Sequence, residues 1–165
     1  MIKKNKAVFL DRDGVINKKR DDYVKSVNEL EIFSYVGDSI WKLKKLGFLV
    51  IVITNQSIIN RKIITSQELE KIHTAIQKYL EKKHCNIDKF YFCPHLPDEK
   101  CNCRKPKSGL ILKAIEDFGI NISDSWIVGD CMTDVQAGEN VGCKTILLKE
   151  NFSLVEAVRI IEEEN

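Results

Sequence analysis

A short apolar run, Ala7-Val8-Phe9-Leu10, stops abruptly at Asp11-Arg12-Asp13-Gly14-Val15-Ile16-Asn17. That junction narrows the folds open to the chain more than any other stretch. An unbroken apolar run bounded by charge fits a strand buried on both faces of a parallel sheet, and open α/β sheets bind ligands just beyond the carboxyl ends of such strands. Asp11 and Asp13 are then delivered to that edge. Two carboxylates so close repel each other, so keeping both ionised requires a cation between them or a proton on one. Ligands that are all oxygen point to magnesium. The alternative is a simple turn after a strand, since Asp-Gly pairs favour turns.

The pattern recurs down the chain. Val36, Ile40, Leu43 and Leu46 repeat at helical spacing before Gly47, which predicts a helix from about Gly37. Phe48 to Ile53 is a second apolar run, ending at Thr54-Asn55-Gln56-Ser57. Thr65 and Glu68 form a capping box for a helix with Leu69, Ile72, Ile76 and Leu80 on its buried stripe. His73, beside the stripe, is expected at the surface or its boundary. Lys89 to Cys93 is a short aromatic strand, after which Pro94, Pro97 and Pro106 exclude regular structure. Ser108 is positioned to cap a helix carrying Leu110, Ala114, Ile115 and Phe118. Trp126 to Val128 forms a fourth strand that stops at Gly129-Asp130, and a helix at Thr133 to Glu139, a strand at Thr145 to Leu148 and a final helix follow. Strands alternating with helices predict a three-layer α/β/α sandwich, Rossmann-like, around a mostly parallel sheet.

At 165 residues the chain suits one domain, 1–165. A formal charge of +2 demands neither nucleic acid nor an acidic membrane as partner. The basic start is followed by too few apolar residues for a secretory signal, and no run approaches a membrane span. Six cysteines without an export signal read as reduced thiols or metal ligands, and the expected compartment is the cytoplasm.

Separate strand ends thus supply Asp11 with Asp13, Thr54, and Asp130, and a parallel sheet brings such ends to one edge. A carboxylate there can attack phosphorus and form an aspartyl-phosphate, splitting one difficult displacement into two. Asp-x-Asp-Gly after an apolar strand, Thr54 after the second, Lys105 in Cys103-Arg104-Lys105-Pro106 before a helix, and Gly129-Asp130-Cys131-Met132-Thr133-Asp134 together resemble the ordered motifs of the haloacid dehalogenase (HAD) phosphatases. The resemblance implies a HAD-like fold and a catalytic set of Asp11, Asp13, Thr54 and Lys105. In it Asp11 is the nucleophile, Asp13 the general acid and base, Thr54 a donor to a phosphoryl oxygen, and Lys105 the charge that neutralises it. It also implies that Asp11, Asp13 and Asp130 hold Mg²⁺, with Asp134 in support. No large insertion separates the motifs, so no cap domain is expected, and the loops Lys18 to Tyr23 and 93–105 are left to shape the pocket.

Cys93-Pro94-His95 and Cys101-Asn102-Cys103 place thiols and an imidazole in one proline-bearing loop. Two tight pairs fit adjacent corners of a closed tetrahedral Zn²⁺ site, and a closed site is structural. Cys85, Cys131 and Cys143 read as core thiols. With this loop in hand the chain resembles the zinc-containing HAD branch of heptose bisphosphate and histidinol-phosphate phosphatases. That likeness implies a small phosphorylated metabolite, preferably a sugar bisphosphate, and a monomer. The expected substrate contacts are Arg20, Asn55, Gln56, Ser57 and Arg104. One departure stands out: where the heptose enzymes continue Asn-Gln-Ser with Gly-Ile-Ala-Arg-Gly, this chain has Ile58-Ile59-Asn60-Arg61-Lys62, which removes backbone freedom near the expected sugar site.

Overall fold

The structure is a computed structural model and describes residues 4–165. Five strands, β1 (Lys6–Leu10), β2 (Phe48–Asn55), β3 (Lys89–Cys93), β4 (Trp126–Gly129) and β5 (Lys144–Leu147), form one sheet in the order β3-β2-β1-β4-β5. Every pairing among them is parallel. The helices are α1 (Val36–Lys45), α2 (Ser66–Glu81), α3 (Gly109–Phe118), α4 (Met132–Glu139) and α5 (Leu154–Glu163).

The strand residues explain the layering. On β1, Val8 and Leu10 meet α1, α2 and α5 in one apolar cluster, while Ala7 and Phe9 meet α3 and α4 in another. Both faces being covered, all four of these residues are fully buried, as a central parallel strand requires. Val50 and Val52 of β2 fall into the first cluster and Ile51 and Ile53 into the second. No helix among the described residues is long and apolar enough to cross a membrane.

Register turns this sheet into a site. Leu10 pairs with Val52 on one side and with Val128 on the other, so the chain leaves β1, β2 and β4 along one edge and carries Asp11, Thr54 and Asp130 there. The second strand runs through Asn55, beyond the apolar run, because Thr54 and Asn55 still pair with Phe92 and Cys93.

Two local expectations change. The capping box of Thr65 and Glu68 forms, but Ser108 caps nothing and instead donates to Ala137 O at 2.7 Å, tying α3 to α4. His73 is not at the surface: it is 2 % exposed and stacks on Phe90 of β3, ring centroids 4.5 Å apart. The aromatic third strand offers a flat partner that periodicity on α2 alone does not reveal.

Burial, reinforced by the nearby Arg12 charge, pushes the His73 pKa down to about 3 from an ordinary 6.5. The unfolded chain therefore takes up a proton as pH falls below 6.5 while the folded chain does not until about 3. The stability due to neutral His73 is complete above that window and drains away within it, at about 1.4 kcal/mol per pH unit. Urea unfolding of the protein and of His73→Phe at about pH 7.5 and about pH 5 tests this: the variant should lose about 2 kcal/mol less on acidification. Equal losses would mean that His73 is not held neutral.

Candidate active site

Lys105 stands at the centre of the edge. Its side chain is almost wholly buried, and Nζ lies 3.1 Å from Asp11 Oδ1 and 2.5 Å from Asp134 Oδ1 and donates to Ile53 O at 2.7 Å. Burial alone would lower its pKa, yet Asp11 and Asp134 outweigh burial and raise it. The loop that carries Lys105 is fastened to β2 by its neighbour: Asn55 Oδ1 accepts from Lys105 N at 3.0 Å and Asn55 Nδ2 donates to Lys105 O at 3.1 Å. Asn55, expected to touch substrate, has its amide committed to this fastening, although it also borders the cavity.

Asp11 extends the β1 ladder, its N donating to Val128 O at 3.1 Å. Burial raises its pKa, with Lys105 pulling the other way and Asp134 and Asp13 adding repulsion. Asp13 behaves oppositely. Arg12 Nη2 donates to both its oxygens at 2.9 and 3.0 Å, Asn17 Nδ2 to Oδ1 at 2.9 Å, and Gln56 Nε2 to Oδ2 at 2.8 Å. Burial pushes its pKa up, but the Arg12 charge and these donors overcome burial and hold it below the usual carboxylate value. Gln56 thus serves Asp13, and it also donates to Thr54 Oγ1 at 3.0 Å. Arg12 and Asn17 were not among the residues singled out from sequence; the only signal was a cation between two acids.

Asp130 shows what the edge can hold. Its Oδ1 is buried without a partner, and Lys19 Nζ rests 3.2 Å from Oδ2 and 3.5 Å from Cys131 Sγ. Gly14, at φ +86°, backs onto this carboxylate so closely that a Cβ would overlap it. The ligand atoms that come together here are the Asp130 and Asp134 carboxylates and the Cys131 thiol; an orphaned carboxylate oxygen and a lysine already resting there as a cation fit Mg²⁺, which takes the oxygens. Cys131 is half-buried at this rim, unlike the buried Cys85 and Cys143.

The loop after β3 gathers the second set. Cys93 Sγ lies 3.1 Å from Cys103 Sγ and 3.9 Å from Cys101 Sγ, and His95 Nδ1 lies 3.4 Å from Cys93 Sγ and 3.2 Å from Cys103 Sγ. Tetrahedral zinc with bonds of about 2.3 Å to sulfur separates its ligand atoms by roughly 3.5–3.8 Å, so the four atoms fit one ion. Partial burial pushes the Cys101 thiol up, but the main-chain N–H groups of Arg104 and Cys103 and the neighbouring thiols bring it down to about 7. Burial and the Cys103 thiol raise Cys93 to about 12.

Between these features opens a cavity of about 700 Å³, lined by Asp11, Asp13, Thr54, Ser57 and Lys105, with Lys19, Arg20, Arg104 and Lys107 also at its walls. Arg104 Nη1 donates to His95 O at 3.0 Å, so the thiol loop sets its position. Arg20, more exposed, pairs with Asp22 at 3.1 Å. The loop without glycines takes a definite path: Ile58 is fully buried with Val24, Leu69 and Ile72, and Lys62 adopts φ +58°. Asn60 joins it to the thiol loop, donating to both carboxylate oxygens of Glu99 at 3.1 and 2.9 Å.

Comparisons with known proteins accord with this geometry. A family model described as HAD-hydrolase-like matches residues 102–163. D-glycero-beta-D-manno-heptose-1,7-bisphosphate 7-phosphatase of Neisseria meningitidis is 43% identical over 143 residues, covering 87% of this chain and 76% of that protein. D-glycero-alpha-D-manno-heptose-1,7-bisphosphate 7-phosphatase of Campylobacter jejuni is 40% identical over 149 residues, covering 88% and 83%. Among solved structures, D,D-heptose 1,7-bisphosphate phosphatase from B. bronchiseptica, in complex with magnesium and phosphate, superimposes with a TM-score of 0.90 at 28% identity, covering 97% of this chain and 99% of that one.

The Gly14 contact is open to a paired test. Gly14→Ala meets both a left-handed backbone and the Asp130 carboxylate, whereas Gly119→Ala, at φ +60° with nothing within 4 Å, meets only the backbone. The backbone alone should cost each variant about 1–2 kcal/mol. By thermal melting and magnesium titration, only Gly14→Ala should also bind the cation more weakly; equal cation affinity in both would refute the contact.

Proposed function

The chain belongs to the HAD-like hydrolases, in the family formed by its heptose bisphosphate phosphatase relatives, and from that premise we propose how it works. It is a phosphatase that removes the 7-phosphate of D-glycero-D-manno-heptose 1,7-bisphosphate through an aspartyl-phosphate on Asp11. The observation that carries this reading is the buried Lys105 ammonium, pinned between Asp11 and Asp134 below a cavity bordered by further cations.

The substrate's phosphate sits against Thr54 and Lys105, where the ammonium balances charge that spreads over the phosphoryl oxygens in the transition state. Asp11 attacks phosphorus and the bond to the sugar oxygen breaks. Asp13 gives that oxygen its proton. Asp13 is an anion in the resting site, and the incoming dianion raises its pKa, so the proton is gained as substrate binds. Once a water replaces the sugar, Asp13 takes a proton from it, and attack on the acyl-phosphate releases phosphate and frees Asp11. Mg²⁺ would be held by Asp11, Asp13 and Asp130, and when bound would offset the repulsion between carboxylates and phosphate.

Zn²⁺ on Cys93, His95, Cys101 and Cys103 orders the loop 93–105 and through it Arg104 and Lys105. Arg104, with Arg20, Lys19 and Lys107, takes the second phosphate, each charged hydrogen bond contributing about 1.5–3 kcal/mol. Ser57 borders the sugar. Residues 1–165 act as one domain and a monomer, in the cytoplasm, where thiols stay reduced.

Three outcomes follow. Asp11→Asn keeps shape but removes the nucleophile, and its kcat should fall on the order of 10⁴-fold or more; near-normal turnover would sink the mechanism. Cys101→Ser should lose about one zinc per chain and at least about tenfold in activity; a fully active zinc-free protein would show that the loop needs no metal. In parallel assays, kcat/KM for the heptose bisphosphate should exceed that for histidinol phosphate and for sugar monophosphates by roughly 100-fold. If either of those wins, the substrate is wrong and the phosphatase chemistry survives.

A further inference from the structure

Behind the acids lies a buried polar group that the hydrolysis leaves unused. Arg12 is fully buried, and although Nη2 serves both oxygens of Asp13, its Nε and Nη1 have no protein partner. Asn17 Oδ1 and both ring nitrogens of His73 are likewise buried and unpartnered. An unpaired polar atom in an interior costs about 1–3 kcal/mol. Arg12 and Asn17 share the Asp13 carboxylate and the Arg12 and Asp13 charges both act on the His73 ring, so the unpartnered atoms are complementary: donors on Arg12, acceptors on Asn17 and on one nitrogen of His73. Buried water bridges such sets where direct contact is missing.

The chemistry of the parts explains the choice of residues. One guanidinium nitrogen, Nη2, meets both oxygens of Asp13, and the planar group leaves Nε and Nη1 free to be anchored from behind, which a lysine with a single nitrogen does not allow. His73 is neutral, as its stacking on Phe90 in an apolar shell demands, and so it accepts a hydrogen bond without adding a second positive charge beside Arg12.

We propose that Arg12, backed by His73 through buried water, is a positioning residue that holds the Asp13 carboxyl in the orientation from which it protonates the leaving oxygen. This rests on the reading of Asp13 as general acid given above, and its consequence depends on the leaving group. An alkoxide must be protonated as it departs, whereas the phenolate released from p-nitrophenyl phosphate is stable enough to leave without a proton.

The test compares kcat/KM, which reads only the steps up to departure of the leaving group and not the later release of phosphate from Asp11, for a sugar phosphate and for p-nitrophenyl phosphate in Arg12→Gln, His73→Phe and Asp13→Asn. Arg12→Gln should lose roughly tenfold or more in kcat/KM on the sugar phosphate, and less than about threefold on the aryl ester. His73→Phe keeps the stack on Phe90 and should show the same selectivity at roughly threefold. Equal losses on both substrates, or none, in these variants would overturn the inference. Should Arg12→Gln fail to fold, the His73→Phe comparison decides alone. Asp13→Asn separates the two levels: without selective loss there, the assignment of Asp13 as acid fails and takes this inference with it. Selective loss in Asp13→Asn but in neither other variant defeats only the role of Arg12 and His73.

Discussion

A buried ammonium between two carboxylates is the contact on which the rest of the structure depends. Taking one charge out of water costs several kcal/mol, and an unpaired one is not tolerated in an interior. Lys105 therefore requires Asp11 from the end of β1, Asp134 from the first turn of α4 and the Ile53 carbonyl of β2 together. It also has to arrive from a loop with little apolar content. That loop is fastened at Asn55 and carries the thiol and imidazole cluster, so that cluster and the acidic edge are parts of one arrangement.

The neighbouring acids divide by environment. Asp11 and Asp13 are two residues apart, yet burial raises the pKa of one while Arg12 and amide donors lower that of the other. Arg12, the residue between them, turns into the interior while its neighbours face the cavity, which lets one short turn serve both.

Much of the fold was legible because the same residues carried two signals. Apolar runs gave the strands, and the acids and threonine that end them gave the edge; parallel pairing then followed from the alternating helices. Side-chain destinations were less legible. Gln56 and Asn55 look like surface amides after a strand, but each finds its partner on a segment brought near only by folding. His73 sits beside an apolar stripe, and only Phe90 on a distant strand decides that it is buried. The replaced glycines were expected to alter the loop after Ser57. In the structure Ile58 sits in an apolar pocket, Lys62 adopts the left-handed backbone a glycine would adopt freely, and Asn60 ties the loop to Glu99.

The central claim is that Asp11 becomes covalently phosphorylated, and trapping the acyl-phosphate tests it most directly. Asp13→Asn protein, which can still accept phosphate from an aryl ester but lacks the base to release it, would be mixed with ³²P-labelled aryl phosphate and magnesium, quenched in acid and digested. The account predicts label on the peptide that contains Asp11, removed by hydroxylamine and absent when Asp11→Asn is added. Label on another residue, or release of the phenol with no labelled protein at any quench time, would contradict it.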